Sequence, residues 1–137
     1  MIHAVCALAL GCAAGAAQAG AVSQRFCGEG APLTAAQQDV KLRFADIVKR
    51  ELDASGARLA IVARSGLNLE RFGIRYSHAG ISLKASDNGA WSVRQLYYAC
   101  EEGKPRLFDQ GMAGFVSGTD DPSRGYLSIV LLPREAA

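Results

Sequence analysis

The chain has one well-marked helical pattern, between Thr34 and Gly56, and after it the apolar period switches to the two residues of a strand. Thr34 and Gln37 have the spacing of a capping box, and Gly56 supplies a C-terminal stop. A single helix followed by strands predicts an α+β domain, with the N-terminal helix packed on a mainly antiparallel sheet. The apolar stripe predicted for the helix consists of Val40, Phe44, Ile47, Val48 and Leu52.

Four segments carry the strand signal, at residues 58–64, 76–84, 91–99 and 126–132. Residues 107–116 fit either a short helix or a strand. Asp87-Asn88-Gly89 is typical of a hairpin turn. A two-residue turn at Asn88-Gly89 would place His78 opposite Ala99 on the returning strand.

The first 24 residues contain no Asp, Glu, Lys or Arg and end in a small-residue cleavage pattern, Ala17-Gln18-Ala19. This predicts a signal peptide at residues 1–19 and an exported domain at 20–137, periplasmic or secreted, in which residues 20–33 form an irregular arm. A buried Ala-rich helix is the other interpretation. Leu10-Gly11-Cys12 leaves open a lipoprotein anchored at Cys12. The segment is too rich in glycine to span a bilayer well, so no stable membrane span is expected after cleavage.

Cleavage after Ala19 would leave two cysteines, Cys27 and Cys100, and one histidine, His78. These residues do not have the spacing of a structural zinc site, and we expect neither a metal nor a cofactor. Two cysteines in an oxidising compartment usually pair, which predicts a Cys27–Cys100 disulfide. The alternative is that Cys100 is a free nucleophile.

The charge pattern excludes a general nucleic-acid partner. Fifteen Lys and Arg residues against thirteen Asp and Glu give a net charge of +2, and the basic residues are spread along the chain. Arg64, Arg71 and Arg75 surround the entry to the strand that contains His78. They could hold a carboxylate or phosphate of a cell-envelope ligand, or they could be solvated loop charges.

His78 is the candidate general base. Strand alternation and the predicted hairpin register place Gln95 and Tyr97 on the face of His78, where they could orient the imidazole. The same register directs Cys100 to the other face, which makes it a weak candidate for the nucleophile. An ordinary exposed polar row is the alternative interpretation of this face.

The segment Ser77-His78-Ala79-Gly80-Ile81 resembles the S-H-x-G-I strand of permuted papain-like (NlpC-type) cysteine hydrolases. Further motifs are Ala63-Arg64-Ser65-Gly66, Arg71-Phe72-Gly73, Trp91-Ser92-Val93-Arg94-Gln95-Leu96, Phe108-Asp109-Gln110-Gly111, Phe115 and the closing strand. Through these motifs, residues 60–133 resemble a secreted bacterial family called domain of unknown function 2145. That resemblance implies a papain-like fold in which His78 is the base.

The resemblance also implies a second half, in which related chains place a Gln-Asn-Cys-Asn-like segment at the start of a helix. This chain ends at Ala137 without such a segment, so we expect an incomplete papain-like fold with the base but not the nucleophile. Apolar surface and a strand edge should then be uncovered along residues 126–132.

Two functional hypotheses follow. The first is an exported envelope protein of unknown substrate, a degenerate or truncated relative of cysteine peptidases and amidases that is inactive by itself. The second is a non-catalytic periplasmic binding or structural module on the same fold.

Overall fold

The structure is a computed structural model that describes residues 32–66, 69–119, 121, 123–133 and 135. The predicted signal peptide, residues 20–31 of the predicted arm, and Cys27 lie outside these residues. The described elements are two α-helices, α1 (Ala35–Ala54) and α2 (Met112–Ser117), one short 3-10 helix (Glu70–Phe72), and five strands, β1 (Leu59–Arg64), β2 (His78–Leu83), β3 (Ser92–Ala99), β4 (Lys104–Gln110) and β5 (Leu127–Leu131).

All five strands form one sheet in the order β4-β3-β2-β1-β5, and every neighbouring pair is antiparallel. The predicted α+β class is therefore confirmed. The ambiguous segment 107–116 contains both a strand and a helix. Gly111 separates them: it directly follows β4 and is the N-cap of α2.

The predicted two-residue hairpin turn is wrong. The ladder joins Leu83 to Ser92, so the connection runs through residues 84–91. Each residue of β2 therefore lies opposite a residue of β3 that is two positions earlier in the chain than predicted. Trp91 accounts for the longer loop: it has a φ of 59°, is fully buried, and donates from its indole nitrogen to Asp53 of α1 at 2.8 Å. Because the shift is even, every side chain stays on its predicted face.

The predicted cap of α1 is confirmed, but its predicted stripe is only partly right. Thr34 Oγ1 accepts from the Gln37 backbone at 3.3 Å, and Gln37 Oε1 accepts from the Thr34 backbone at 2.9 Å. Val40 and Ile47 are exposed, because the buried face of the helix is a narrower line of one residue per turn. That line consists of Lys41, Ala45, Val48 and Leu52.

Lys41 takes a core position because polar atoms of the loop after α2 surround its amine. Its Nζ donates to Thr119 Oγ1 at 2.5 Å and to the carbonyl oxygen of Asp121 at 3.0 Å. Burial lowers the pKa of Lys41, and the nearby charge of Asp121 opposes that effect. The two hydrogen bonds attach this loop to α1.

The two helices cover one side of the sheet, which we call the inner face. Val62 and Val93 of this face pack into a core that also contains Leu52 and Phe115 from the helices. We call the opposite side the outer face. Its exposed apolar side chains are Ile61, Ile81, Leu96, Leu107 and Val130.

β5 forms an edge of the sheet, where the sequence led us to expect an uncovered strand. Within the described residues β5 pairs only with β1, and Val130 and Leu131 are about half exposed. None of the described helices has the length and apolar character needed to cross a bilayer.

Candidate functional site

His78 begins β2 on the inner face, where two of the sequence-predicted residues lie beside it. Its Nε2 lies 2.5 Å from Gln95 Oε1. The Tyr97 ring meets the imidazole edge to face, with the ring centroids 5.2 Å apart. Phe115 of α2 lies on another side of the imidazole, at a centroid distance of 6.1 Å. One polar and two aromatic side chains therefore hold the half-buried ring.

The hydrogen bond to Gln95 sets the tautomer of His78. An amide oxygen can only accept a hydrogen bond, so the contacting Nε2 carries the hydrogen. In the neutral ring the lone pair then resides on Nδ1. Gln95 is itself 95% buried, and the hydrogen bond satisfies an oxygen that would otherwise be costly to bury.

Gly80 makes room for the residues that approach His78 from β3. A Cβ atom at Gly80 would lie 2.6 Å from Val93 Cγ1 and 3.2 Å from Gln95 Cβ. A larger residue at this position would displace both side chains. The space that Gly80 leaves beside His78 is therefore occupied by the protein itself, and it allows Gln95 to reach the ring.

Arg64, opposite His78 in the β1–β2 ladder, is buried with 6% of its surface exposed. Its guanidinium lies over the Phe115 ring at 5.5 Å and donates to the carbonyl oxygens of Gly118 and Ser65. A Cβ atom at Gly66 would lie 2.6 Å from Nη1 of Arg64, and one at Gly118 would lie 2.7 Å from Cζ. Two glycines therefore form the slot that holds the guanidinium.

The other two candidate arginines are exposed. Arg71 lies over the ring of Phe72 and Arg75 over the ring of Tyr126, each with its guanidinium carbon 4.6 Å from the ring centroid. Each of the three arginines thus stacks on a different aromatic ring. The predicted ligand-binding set is split between one buried residue and two surface residues.

Cys100 lies in the exposed turn that follows β3, and its Sγ is 3.8 Å from the carbonyl oxygen of Tyr98. The described neighbours of the His78 ring are Gln95, Tyr97 and Phe115, so the structure does not bring Cys100 against the imidazole. Among the described residues, no group of three or more His, Cys, Asp or Glu side chains could hold a metal ion.

The surroundings of His78 favour a neutral ring. Burial lowers the pKa of His78 below its ordinary value, and the positive charge of Arg64 lowers it further. The hydrogen bond to Gln95 opposes these two effects. A neutral imidazole with a lone pair on Nδ1 is competent to accept a proton at neutral pH.

The comparison with family models assigns the chain. Residues 51–137 match a family described as an uncharacterized protein conserved in bacteria (DUF2145). The chain belongs to the DUF2145 family. No curated protein and no solved structure matches it. The match covers all five strands and α2, and therefore includes His78, Gln95 and Arg64. The family description states no activity, so the chemistry of the site is argued from geometry.

The sequence placed Arg64 only at the entry to the strand of His78, and it gave no position beside the imidazole for Phe115. The alternation of Ala60, Val62 and Arg64 along β1 does direct Arg64 to the inner face. The contribution of Phe115 could not be found in this way, because it depends on how α2 lies over the sheet.

We expect the stability of the protein to depend on His78 between about pH 7.5 and pH 5.5. The unfolded chain binds a proton near the ordinary histidine pKa of about 6.5, whereas the folded chain resists protonation. The free energy of unfolding is therefore at its full value above the unfolded pKa, and it decreases as the pH falls towards the lowered pKa of folded His78. Urea unfolding at both pH values should show a smaller loss of stability in His78→Gln than in the wild type.

The carboxylates whose pKa changes on unfolding do not titrate between about pH 7.5 and pH 5.5. Their pKa values are lowered in the folded state, so they remain ionised above pH 5. The three are Asp53, Asp109 and Asp121. An equal loss of stability in His78→Gln and the wild type would contradict the assignment to His78.

Proposed function

We propose that this chain is an exported cell-envelope protein that carries the base half of a papain-like cysteine hydrolase site. His78 is the base and Gln95 is the group that orients it. The observation that carries the proposal is the 2.5 Å contact between His78 Nε2 and Gln95 Oε1. A side-chain amide bonded to one imidazole nitrogen leaves the other to accept a thiol proton, which is the logic of Cys-His-Asn sites.

Tyr97 and Phe115 support the proposal by restricting the imidazole. A ring held by a hydrogen bond at one nitrogen can still rock about that bond, and two aromatic side chains limit this motion. Tyr97 is 44% exposed, so it forms the boundary between the ring and solvent.

Within the part of the chain that the structure describes, no thiol lies beside His78 to act as the nucleophile. Cys100 lies in the turn beyond β3 and not beside His78. General acid–base assistance alone contributes only about 10²–10⁴-fold to a rate. We therefore propose that the chain by itself is a degenerate relative of cysteine peptidases and amidases and hydrolyses no amide substrate at a useful rate.

Thiol reactivity tests this function. After reduction, Cys100 should react with iodoacetamide at the rate of an ordinary exposed thiol, and a peptidyl vinyl sulfone probe should not label it faster. His78→Ala should leave both rates unchanged within about twofold, because no imidazole activates this sulfur. Lys104→Ala, which removes a charge at the start of β4 beside the same turn, is the matched control. Rapid labelling of Cys100 that His78→Ala abolishes would overturn the proposal.

A non-catalytic binding module on the same fold is the second candidate function. It is favoured by a pair of exposed aromatic side chains on the inner face, Tyr97 and Phe108, which lie diagonally across β3 and β4. Co-sedimentation with purified cell-wall sacculi that is lost in Tyr97→Ala, but kept in Leu107→Ala on the outer face, would support this function.

Export and the Cys27–Cys100 disulfide form the remaining part of the proposal. They are supported by the charge-free start, the Ala17-Gln18-Ala19 pattern and the exposed position of Cys100. In a Gram-negative host, the intact mass of the periplasmic protein should correspond to a chain that begins at Gly20. Alkylation should add mass at two cysteines only after reduction.

Three results would count against this part of the proposal. Cytoplasmic protein that retains Met1 would contradict export. Two thiols alkylated without reductant in periplasmic material would contradict the disulfide. A lipid-modified Cys12 would replace cleavage after Ala19 with the lipoprotein alternative.

A further inference from the structure

Among the described strands only β1 pairs with β5, and the other side of β5 carries a regular row of backbone groups. The Leu132 N–H donates to Leu59 at 3.1 Å and the Ser65 N–H to Tyr126 at 3.0 Å, so even-numbered residues of this segment pair with β1. In an antiparallel strand, alternate residues direct both their N–H and C=O groups to the same side. Leu127, Ile129 and Leu131 therefore direct theirs to the open side.

The two edges of the sheet differ in their protection against pairing. β4 contains a proline and charged side chains, which are the usual devices that keep an edge strand from associating. The sequence of β5 is Leu-Ser-Ile-Val-Leu, with no charge and no proline. Of the two edge strands, only β4 therefore has side chains that protect it against pairing with another strand.

A groove lies along β5 on the inner face, beneath the last turns of α1. It has a volume of about 400 Å³. Leu131 at this groove is 48% exposed. The strand therefore presents unpaired backbone and incompletely covered apolar side chains at the same edge. The lining residues are Glu51, Leu52, Ala54, Ser55, Ile129 and Leu131.

We propose that β5 pairs with β5 of a second copy of this chain, antiparallel, about a two-fold axis at Ile129. Leu127 then lies opposite Leu131 of the second copy, and Ile129 lies opposite its own equivalent. These are the residues whose backbone groups face the open side, so each opposed pair forms two hydrogen bonds. The product is one continuous sheet with the protected strand β4 at both outer edges.

The side chains of β5 suit this register. Its inner-face residues meet only leucine and isoleucine, and Ser128 lies opposite Val130 of the second copy. No charged side chain of the strand meets a like charge across the axis. A closed two-fold contact uses the same surface on both copies and satisfies both open edges at once.

The outer face is a poorer surface for self-association, although it is apolar. A continuous cross-strand row on this face runs through Ile61 and Ile81 to Arg94 and Asp109, which form an ion pair at 2.8 Å. Packing two copies face to face would remove solvent from that ion pair, at a cost that edge pairing avoids.

Amide hydrogen exchange on the full chain tests the pairing directly. At concentrations where light scattering shows a dimer, the amides of Leu127, Ile129 and Leu131 should be protected. On dilution to monomer they should exchange freely, whereas those of Ser128 and Val130 stay protected by β1. Protection of the first three amides in the monomer would overturn the proposal, because another segment of the chain would then occupy the edge.

Two lysine substitutions on the outer face distinguish association through the β5 edge from association through the outer face. Val130→Lys, at a side chain 53% exposed on β5, places two charges near the axis and should raise the dimer dissociation constant at least about tenfold. Leu107→Lys, at a side chain 67% exposed on β4, is the matched control and should leave it unchanged. Circular dichroism should show that both variants are folded.

Two further outcomes overturn the proposal. One is a chain that stays monomeric at every concentration. The other is a dimer that Leu107→Lys dissociates and Val130→Lys does not, which would locate the contact on the outer face. Dimerisation of His78→Ala should equal that of the wild type, since the edge does not depend on the proposed function of the site.

Discussion

The guanidinium of Arg64 lies beneath α2, where it donates to the carbonyl oxygen of Gly118 and stacks on Phe115. A buried cation is stable only where hydrogen bonds replace its hydration, and this requirement determines what surrounds it. Glycine occupies positions 66 and 118 because a side chain at either would collide with the guanidinium. The end of α2 is thereby attached to β1.

The geometry around His78 follows from that attachment. With α2 held over the sheet, Phe115 contacts the imidazole from the helix side while Gln95 and Tyr97 contact it from β3. The positive charge of Arg64 adds to burial in lowering the pKa of His78. One buried arginine therefore contributes to both the position and the neutral state of the proposed base.

Local patterns in the sequence were sufficient for the parts of the fold that depend on neighbours along the chain. The Thr34 capping box, the antiparallel strands, and the shared face of His78, Gln95 and Tyr97 all follow from spacing. The strand faces were predicted correctly even though the hairpin register was wrong, because strand alternation depends only on whether a shift is even or odd.

The features that sequence reasoning missed depend on contacts between distant segments. Trp91 lengthens the hairpin loop because its indole reaches Asp53 on α1. Lys41 occupies a core position because the loop after α2 supplies its hydrogen-bond acceptors. Arg64 is inside the domain because Gly118, from a distant segment, supplies a carbonyl oxygen and completes, together with the nearby Gly66, the slot for the guanidinium. Neither apolar periodicity nor charge pattern contains this information.

The central claim is that Gln95 holds His78 as the tautomer with its hydrogen on Nε2 and its lone pair on Nδ1. Long-range ¹H–¹⁵N correlation of the imidazole at about pH 7.5 measures this directly. His78→Gln identifies the signal, and Gln95→Leu removes the acceptor. The account predicts a hydrogen on Nε2 in the wild type and loss of that preference in Gln95→Leu. A hydrogen on Nδ1, or the same tautomer mixture in both proteins, would contradict it.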